Sequence, residues 1–237
     1  MAHPRLTVVI PVYNEERILP SALADLTTGL DARGLDYEVL LAENGSTDGT
    51  QALLDRLTAA NPRLRWFHCT TPNYGAALKQ GMLEARGDLV FCDEIDLCDL
   101  RFYDRALELL VDPGLDMVVG SKAARGAVDR RPLIRRLATR VHNGLLRLLL
   151  GFQGTDTHGL KAFRRERLAP VARACVVDRD LFASELVIRA QRMGRDVREI
   201  PIALREKRPP STHLLRRVPH VLKGLLKLGW VIRVRYR

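Results

Sequence analysis

Short apolar runs, each broken at its C-terminal end by polar residues, dominate the first hundred positions. Residues 6–12 break into Tyr13-Asn14-Glu15, residues 37–42 into Glu43-Asn44-Gly45-Ser46-Thr47-Asp48-Gly49-Thr50, and residues 89–92 into Asp93-Glu94-Ile95-Asp96-Leu97-Cys98-Asp99. A more polar run, Arg65-Trp66-Phe67-His68-Cys69, lies before the last of these. Continuous apolar runs of this length are the pattern of strands buried on both faces. The segments between them, 18–30, 51–57 and 73–85, read as helices. Strands alternating with helices roughly every thirty residues predict an α/β fold with a mostly parallel sheet built from βαβ units.

The run Leu89-Val90-Phe91-Cys92 predicts a central strand, and sheets of this kind keep their ligand crevice at the C-terminal ends of their strands. Extended backbone beyond it would send Glu94 and Asp96 to one side and Asp93 to the other, with the first two spaced to share a divalent cation. Oxygen ligands suit Mg2+ or Mn2+, which usually hold substrate phosphates as well. The same acids also suit a solvated loop, with Asp99 capping a helix over 101–107.

Composition narrows the picture. A chain of 237 residues with 46% hydrophobic content fills one large core, so one catalytic-sized domain with a tail is expected. Cys69, Cys92, Cys98 and Cys175 form no Cys-x-x-Cys pair and have no histidines at zinc spacing, which predicts reduced thiols in a cytoplasmic protein. Without a basic leader or a small-residue cleavage site, residues 6–12 are expected to be a first strand and not a signal peptide. The net charge is +10, yet residues 205–237 hold ten Lys or Arg against Glu206 alone, so the rest is nearly neutral. A nucleic-acid reader would need aromatic or groove-entering residues, and aromatics make up 5%. A localised basic tail points to an anionic membrane surface.

No Gly-x-Gly-x-x-Gly follows the first run and no Gly-x-x-x-x-Gly-Lys-Ser/Thr is present, which disfavours dinucleotide and P-loop folds. Gly45-Ser46-Thr47-Asp48-Gly49 lacks the Gly-x-Ser-x-Gly spacing of a nucleophile elbow. Four separated stretches, the Ile10-Pro11-Val12-Tyr13-Asn14-Glu15 turn, the loop from Glu43 to Thr50, the Asn73-Tyr74-Gly75 helix start and the acid motif, resemble the nucleotide-sugar half of glycosyltransferase family 2, with its GT-A fold. Further on come residues 116–122, Arg135 and Thr139 in a helix, Thr155-Asp156-Thr157-His158-Gly159-Leu160-Lys161, Glu185, and Glu199-Ile200-Pro201-Ile202. That order is similar to the dolichyl-phosphate mannose synthase and polyprenyl-phosphate glucosyltransferase branch. The resemblance covers about residues 6–213. It implies a GT-A domain over 1–213, with a nucleotide-sugar half (1–120) and an acceptor half (121–213), ahead of a basic amphipathic tail (214–237).

By resemblance, Pro11, Tyr13, Asn14 and Glu15 hold the nucleoside, and Glu43 contacts the base from a loop shared with Asn44 and Gly45. Asn73, Gly75, Asp93 and Glu94 complete the nucleotide-sugar site. Glu94 and Asp96 take the place of the family's Asp-x-Asp metal pair, and Cys98 stands where a glutamine often completes the coordination. Lys122, Arg135 and Thr139 would meet a lipid phosphate, with Asp156 lining the acceptor side. Lys207 or Arg208 would reach the diphosphate, although Pro210-Ser211-Thr212-His213 replaces the family's Gly-x-Ser-Lys. Asp96, Lys122 and Arg135 are the catalytic candidates.

The implied activity is inverting, Mg2+- or Mn2+-dependent transfer of a hexose, mannose or glucose, from a GDP- or UDP-sugar to a polyprenyl phosphate of dolichyl type. A phosphate monoester, with a second pKa of about 6, is largely dianionic at neutral pH and needs cations to position it, not a general base. Lys122, Arg125, Arg130, Arg131, Arg135, Arg136 and Arg140, opposed only by Asp129, make such a segment. A hydroxyl acceptor would instead need a base, for which His158 is the candidate. A third reading is a non-catalytic nucleotide-sugar-binding, membrane-docking protein. The expected partners are the donor, the lipid acceptor and an anionic membrane surface, with no nucleic acid. A homodimer or a separate membrane-anchoring partner stays open. In the tail, a helix from Pro219 to Leu228 would set His220, Lys223 and Lys227 against Val218, Leu222, Leu225 and Leu226. No stretch reaches the ~20 apolar residues needed to span a bilayer, so the tail is expected to lie on the cytoplasmic membrane face. The alternative is a helix packed against its own domain or a dimer partner.

Overall fold

The computed structural model describes residues 5–70, 72–177, 179, 181–204 and 223–232. Lys207, Arg208 and the tail outside 223–232 lie outside these residues. The elements run β1 (Leu6–Val12), α1 (Leu19–Asp31), β2 (Tyr37–Glu43), α2 (Thr50–Ala60), β3 (Leu64–His68), α3 (Tyr74–Glu84), β4 (Leu89–Cys92) and α4 (Leu100–Leu109) in the first half. The second half holds β5 (Met117–Ser121), β6 (Val128–Asp129), α5 (Leu133–Leu150), β7 (Lys161–Arg164), α6 (Arg165–Ala174), α7 (Phe182–Arg192), β8 (Val197–Pro201) and β9 (Ala203–Leu204).

Seven strands form one sheet in the order β3-β2-β1-β4-β7-β5-β8, while β6 and β9 make a separate two-stranded ribbon. The run ending in acids, β4, is the middle strand, and all four of its residues are buried. Every neighbouring pair in the large sheet is parallel except the two that β7 makes with β4 and β5.

Alternate residues of the same strands feed two cores. Val8, Ile10 and Val12 pack with the α1 leucines Leu19, Leu23, Leu26 and Leu30 and with Phe102 and Tyr103 of α4. Val9 and Val90 face the other way, onto α3, α5, α6 and α7. The α1 leucines recur at helical spacing, and burying each contributes about 2 kcal/mol. Two helix starts are capped by side chains, the second of them as expected. The Asn73 side chain accepts the Ala76 N–H at the start of α3, and Asp99 accepts the Arg101 N–H at the start of α4.

The described part of the tail differs from the expected face. Residues 223–230 are helical, but Leu225 is buried while Leu226 is exposed, so the two do not share a side. Leu225, Leu228 and Ile232 join the second core, and the Arg192 guanidinium donates to the Ile232 carbonyl. This segment packs Leu225, Leu228 and Ile232 onto its own domain and leaves Leu226 and Trp230 exposed.

Candidate active site

Because β1 to β5 run in one direction and β7 in the other, the segments that follow β1, β2, β4 and β5 and the one that precedes β7 share one edge of the sheet. The segments that follow β1, β2 and β3 are stitched together by side chains. Asn14 adopts a left-handed conformation (φ 54°), which asparagine tolerates better than most residues. Its N–H donates to Ser46 Oγ (2.9 Å) and its Oδ1 accepts the Thr47 N–H (2.8 Å). The Glu15 N–H donates to Thr50 Oγ1 (2.9 Å), and the Asn73 N–H donates to Asn44 Oδ1 (2.6 Å). Gly45 sits at φ +76°, where a Cβ would also come within 3.0 Å of the Pro72 ring. Pro11 is paired with Ala42 one residue short of the edge, Tyr13 stays exposed, and Gly75 is buried in the first turn of α3. The structure thus gathers the expected nucleoside-side residues.

Glu43 has a different standing from a free base-contacting acid. It is wholly buried, and its carboxylate takes the Ser46 N–H, the Gln51 amide and the His68 ring. Burial pushes this carboxyl up, but the Ser46 and His68 hydrogen bonds outweigh it and hold the group below the usual range. Its visible role is to shape the loop from within.

The acid motif is a turn and not extended backbone. β4 ends at Cys92, the Leu97 N–H closes onto the Glu94 carbonyl (2.9 Å), and Cys98 takes φ 41°. Alternation is therefore not what relates Glu94 to Asp96. Asp93 is also displaced from its expected place in the donor site. It is buried in the core behind the turn, where its Oδ2 accepts the Tyr103 hydroxyl (2.7 Å) and burial pushes its carboxyl up to about 7. The Cys98 thiol faces back onto the Glu94 and Ile95 carbonyls.

Burial, and then repulsion from Asp96, push the Glu94 carboxyl up, while Lys122, Lys161 and the Tyr74 hydroxyl pull it back. Two carboxylates close enough to repel, with oxygen donors only, fit a divalent cation of the Mg2+ or Mn2+ type. Among the described residues no third His, Cys, Asp or Glu joins them in a metal-binding group. Magnesium is commonly bound by one or two carboxylates with substrate phosphates and water filling the remaining positions, so a two-acid set is sufficient.

The acceptor side closes on the same point. The antiparallel register sets Lys161 opposite both Cys92 of β4 and Val119 of β5. Lys161 is buried, its Nζ donates to the Gly159 carbonyl (2.7 Å), and burial pushes its ammonium down while Cys92, Asp156 and Glu94 oppose that. Lys122, just past β5, is ion-paired to Asp156 at 2.8 Å. Asp156 also accepts the N–H groups of Lys122 (3.2 Å) and His158 (3.0 Å), and Glu199 anchors its loop by accepting the Thr155 N–H (2.7 Å). Burial acts to raise the Asp156 carboxyl, but Lys122 and the hydrogen bonds bring it below the ordinary value. The His158 ring packs edge-on against His142, with centroids 5.2 Å apart.

Next to this cluster lies a pocket of about 240 Å³ whose lining includes Lys122, Arg136, Thr139, Arg140, Asn143 and Arg147. Asn143 is buried. Its amide donates to the Thr155 carbonyl (2.6 Å), and its Oδ1 has no hydrogen-bond partner among the described residues. Thr139 takes an Arg131 N–H (3.2 Å) while Arg131 pairs with Asp129 (2.7 Å). Arg135 is not among the residues that line the pocket; Arg136 and Arg140 line it. Those two were visible in the sequence only as part of a cationic segment. Tyr74, Asn143, Arg147 and the role of Lys161 were missed. The one available signal was a lysine inside the apolar run Leu160-Lys161-Ala162-Phe163.

Likeness to solved structures shows the fold, the GT-A architecture. A glucosyl-3-phosphoglycerate synthase of Mycobacterium tuberculosis, solved with Mn2+, UDP and glucosyl-3-phosphoglycerate, matches with a TM-score of 0.65 and 19% identity, covering 97% of this chain and 80% of that one. The chain belongs to glycosyl transferase family 2, whose sequence profile matches residues 7–169. Glycosyltransferase AglD of Haloferax volcanii is 32% identical over 98% of this chain, which spans 38% of that relative's length. A polyprenol monophosphomannose synthase of Mycolicibacterium smegmatis is 31% identical, covering 86% of this chain and 78% of that relative.

Proposed function

We propose that this chain transfers a hexosyl group, mannose or glucose, from a GDP- or UDP-sugar to a polyprenyl phosphate. The observation that carries the reading is the meeting of Glu94 and Asp96 with Lys122, Lys161 and Asp156 at one edge of the sheet, beside a pocket lined with arginines. A relative named for polyprenol monophosphomannose synthesis supports the acceptor class.

In the proposed step an oxygen of the acceptor phosphate attacks the anomeric carbon from the side opposite the diphosphate. The new carbon–oxygen bond forms as the bond to the diphosphate breaks, and the electron pair leaves with the nucleoside diphosphate, so the anomeric centre inverts. A divalent cation held by Glu94 and Asp96 would neutralise the leaving diphosphate as a Lewis acid. The loops carrying Tyr13, Asn14, Asn44 and Asn73 hold the nucleoside. Asp156 fixes the Lys122 ammonium at the junction of the two halves, where Lys161 adds a second buried cation. Arg136 and Arg140 receive the acceptor dianion, which needs no general base. His158, the base required by a hydroxyl acceptor, is then a packing residue. The site would work at the cytoplasmic membrane face, with the chain attached peripherally. Mass-spectrometric assay of purified protein with UDP- and GDP-sugars, Mg2+ or Mn2+ and a short polyprenyl phosphate tests the reading; a lipid-phosphate hexose is expected.

A further inference from the structure

The outward side of α5 is apolar and open. Leu133, Ile134, Leu137, Val141 and Leu148 are 77%, 63%, 56%, 55% and 77% exposed. At about 100° per residue these five fall within a single arc of roughly 100°. Gly144 lies inside the arc, and Arg140 and Arg147 flank it on the side where the helix turns toward the pocket. Asn143, Leu146 and Leu150 occupy the buried side. A helix at a water-exposed surface ordinarily carries polar residues outward, and a continuous apolar stripe marks a contact surface.

We propose that this face of α5 docks onto an anionic lipid bilayer, with the helix lying flat in the interface and the arginine-lined pocket opening beside it. The inference deepens the lipid-phosphate reading and rests on it, because it brings the acceptor's phosphate to the pocket without leaving the membrane. Charge selects the occupant. From Lys122 to Arg147 the chain carries eight Lys or Arg against Asp129 alone, complementary to anionic headgroups. A second copy of the chain docked through the same face would set this cationic segment against itself across a two-fold axis. Length and burial set the orientation. Its 18 residues reach about 27 Å, one side is committed to the core, and no helix among the described residues is long and apolar enough to cross a membrane. Over residues 223–232 the tail commits Leu225, Leu228 and Ile232 to the domain and leaves Leu226 and Trp230 exposed, a much smaller apolar surface than the five-residue stripe of α5.

The test is flotation of the full chain with vesicles of phosphatidylglycerol and phosphatidylcholine, compared with phosphatidylcholine alone. Wild type should float with the anionic vesicles, and the double variant Leu137→Glu/Val141→Glu should lose at least tenfold in vesicle affinity. The variant should keep its thermal melting, its calorimetric binding of nucleoside diphosphate, and its turnover of a water-soluble ten-carbon prenyl phosphate. Unchanged flotation of the variant overturns the proposal. So does a wild-type dimer that the variant dissociates while neither protein floats. If flotation is lost as expected but the soluble prenyl phosphate is never a substrate for wild type, the docking face stands and the acceptor assignment falls.

Discussion

The Lys122 ammonium and the Asp156 carboxylate meet at 2.8 Å with almost no exposure to solvent, one from the end of β5 and the other from the loop before β7. Removing one partner of such a pair leaves a buried charge uncompensated, which costs about 3–5 kcal/mol. Lys122→Met is therefore expected to lower stability by that order in urea unfolding and to abolish transfer. Adding Asp156→Asn should restore much of the stability and none of the activity. Stability that stays low in the double variant would mean the pair is not what Lys122 provides.

Glu94 and Asp96 repel each other at the end of the central strand, and the divalent cation proposed to sit between them would relieve that repulsion. Asp96→Ala should lower transfer by several kcal/mol of barrier, roughly a thousandfold. Chelation should silence the wild-type enzyme reversibly, with Mg2+ or Mn2+ restoring it. Full activity in excess chelator would remove both acids from the role assigned to them.

Gly159 sits where a Cβ would lie 1.5 Å from the Gly120 carbonyl oxygen, and the nearest atoms it would meet are all Gly120 backbone, with no flexible side chain to give way. Gly159→Ala must therefore push the loop carrying Asp156 away from β5. We expect a loss of more than about 3 kcal/mol, or insoluble protein. A variant with wild-type melting would contradict the close approach.

Far from the site, Glu38 accepts from Thr7 Oγ1 (2.8 Å), Arg65 Nε (2.8 Å) and the Arg86 N–H (2.9 Å). Burial pushes its carboxyl up, but Arg65 and the other donors outweigh it and leave the group below its ordinary value. A depressed folded-state pKa gives stability that is present above the unfolded value of about 4.3 and is lost as pH falls through the folded one. Glu38→Gln should thus be less stable than wild type by about 1–2 kcal/mol at pH 7, with the gap closing below about pH 4. A gap of the same size at pH 3 would show that charge is not the cause.

Local signals carried much of this architecture. The apolar runs of β1, β2 and β4, the helix start at Asn73, the Asp99 cap and the sheet edge with its acids follow from patterns that one stretch of chain decides by itself. The relation of Glu94 to Asp96 was legible, although a turn and not strand alternation produces it, because the periodicity of an acid pair does not say where a strand stops. Asp93 looked like a site residue until Tyr103, ten residues away, drew it into the core. Lys161 depends on the antiparallel register of β7 with β4, which no local pattern encodes. In α5 and in residues 223–232 the helical spacing shows apolar positions, but which of them are covered is set by tertiary packing. Leu225 went inward where Leu226 did not, and five apolar residues of α5 stayed outside.

The central claim is that a phosphate, and not a hydroxyl, receives the sugar. The most direct measurement offers purified protein the same short polyprenyl chain as phosphate and as free alcohol, with UDP- and GDP-sugars and Mg2+ or Mn2+, and identifies products by mass spectrometry. A hexosyl phosphate lipid is expected from the phosphate and nothing from the alcohol. Sugar transferred to the alcohol, or no product while calorimetry still detects donor binding, would contradict that claim.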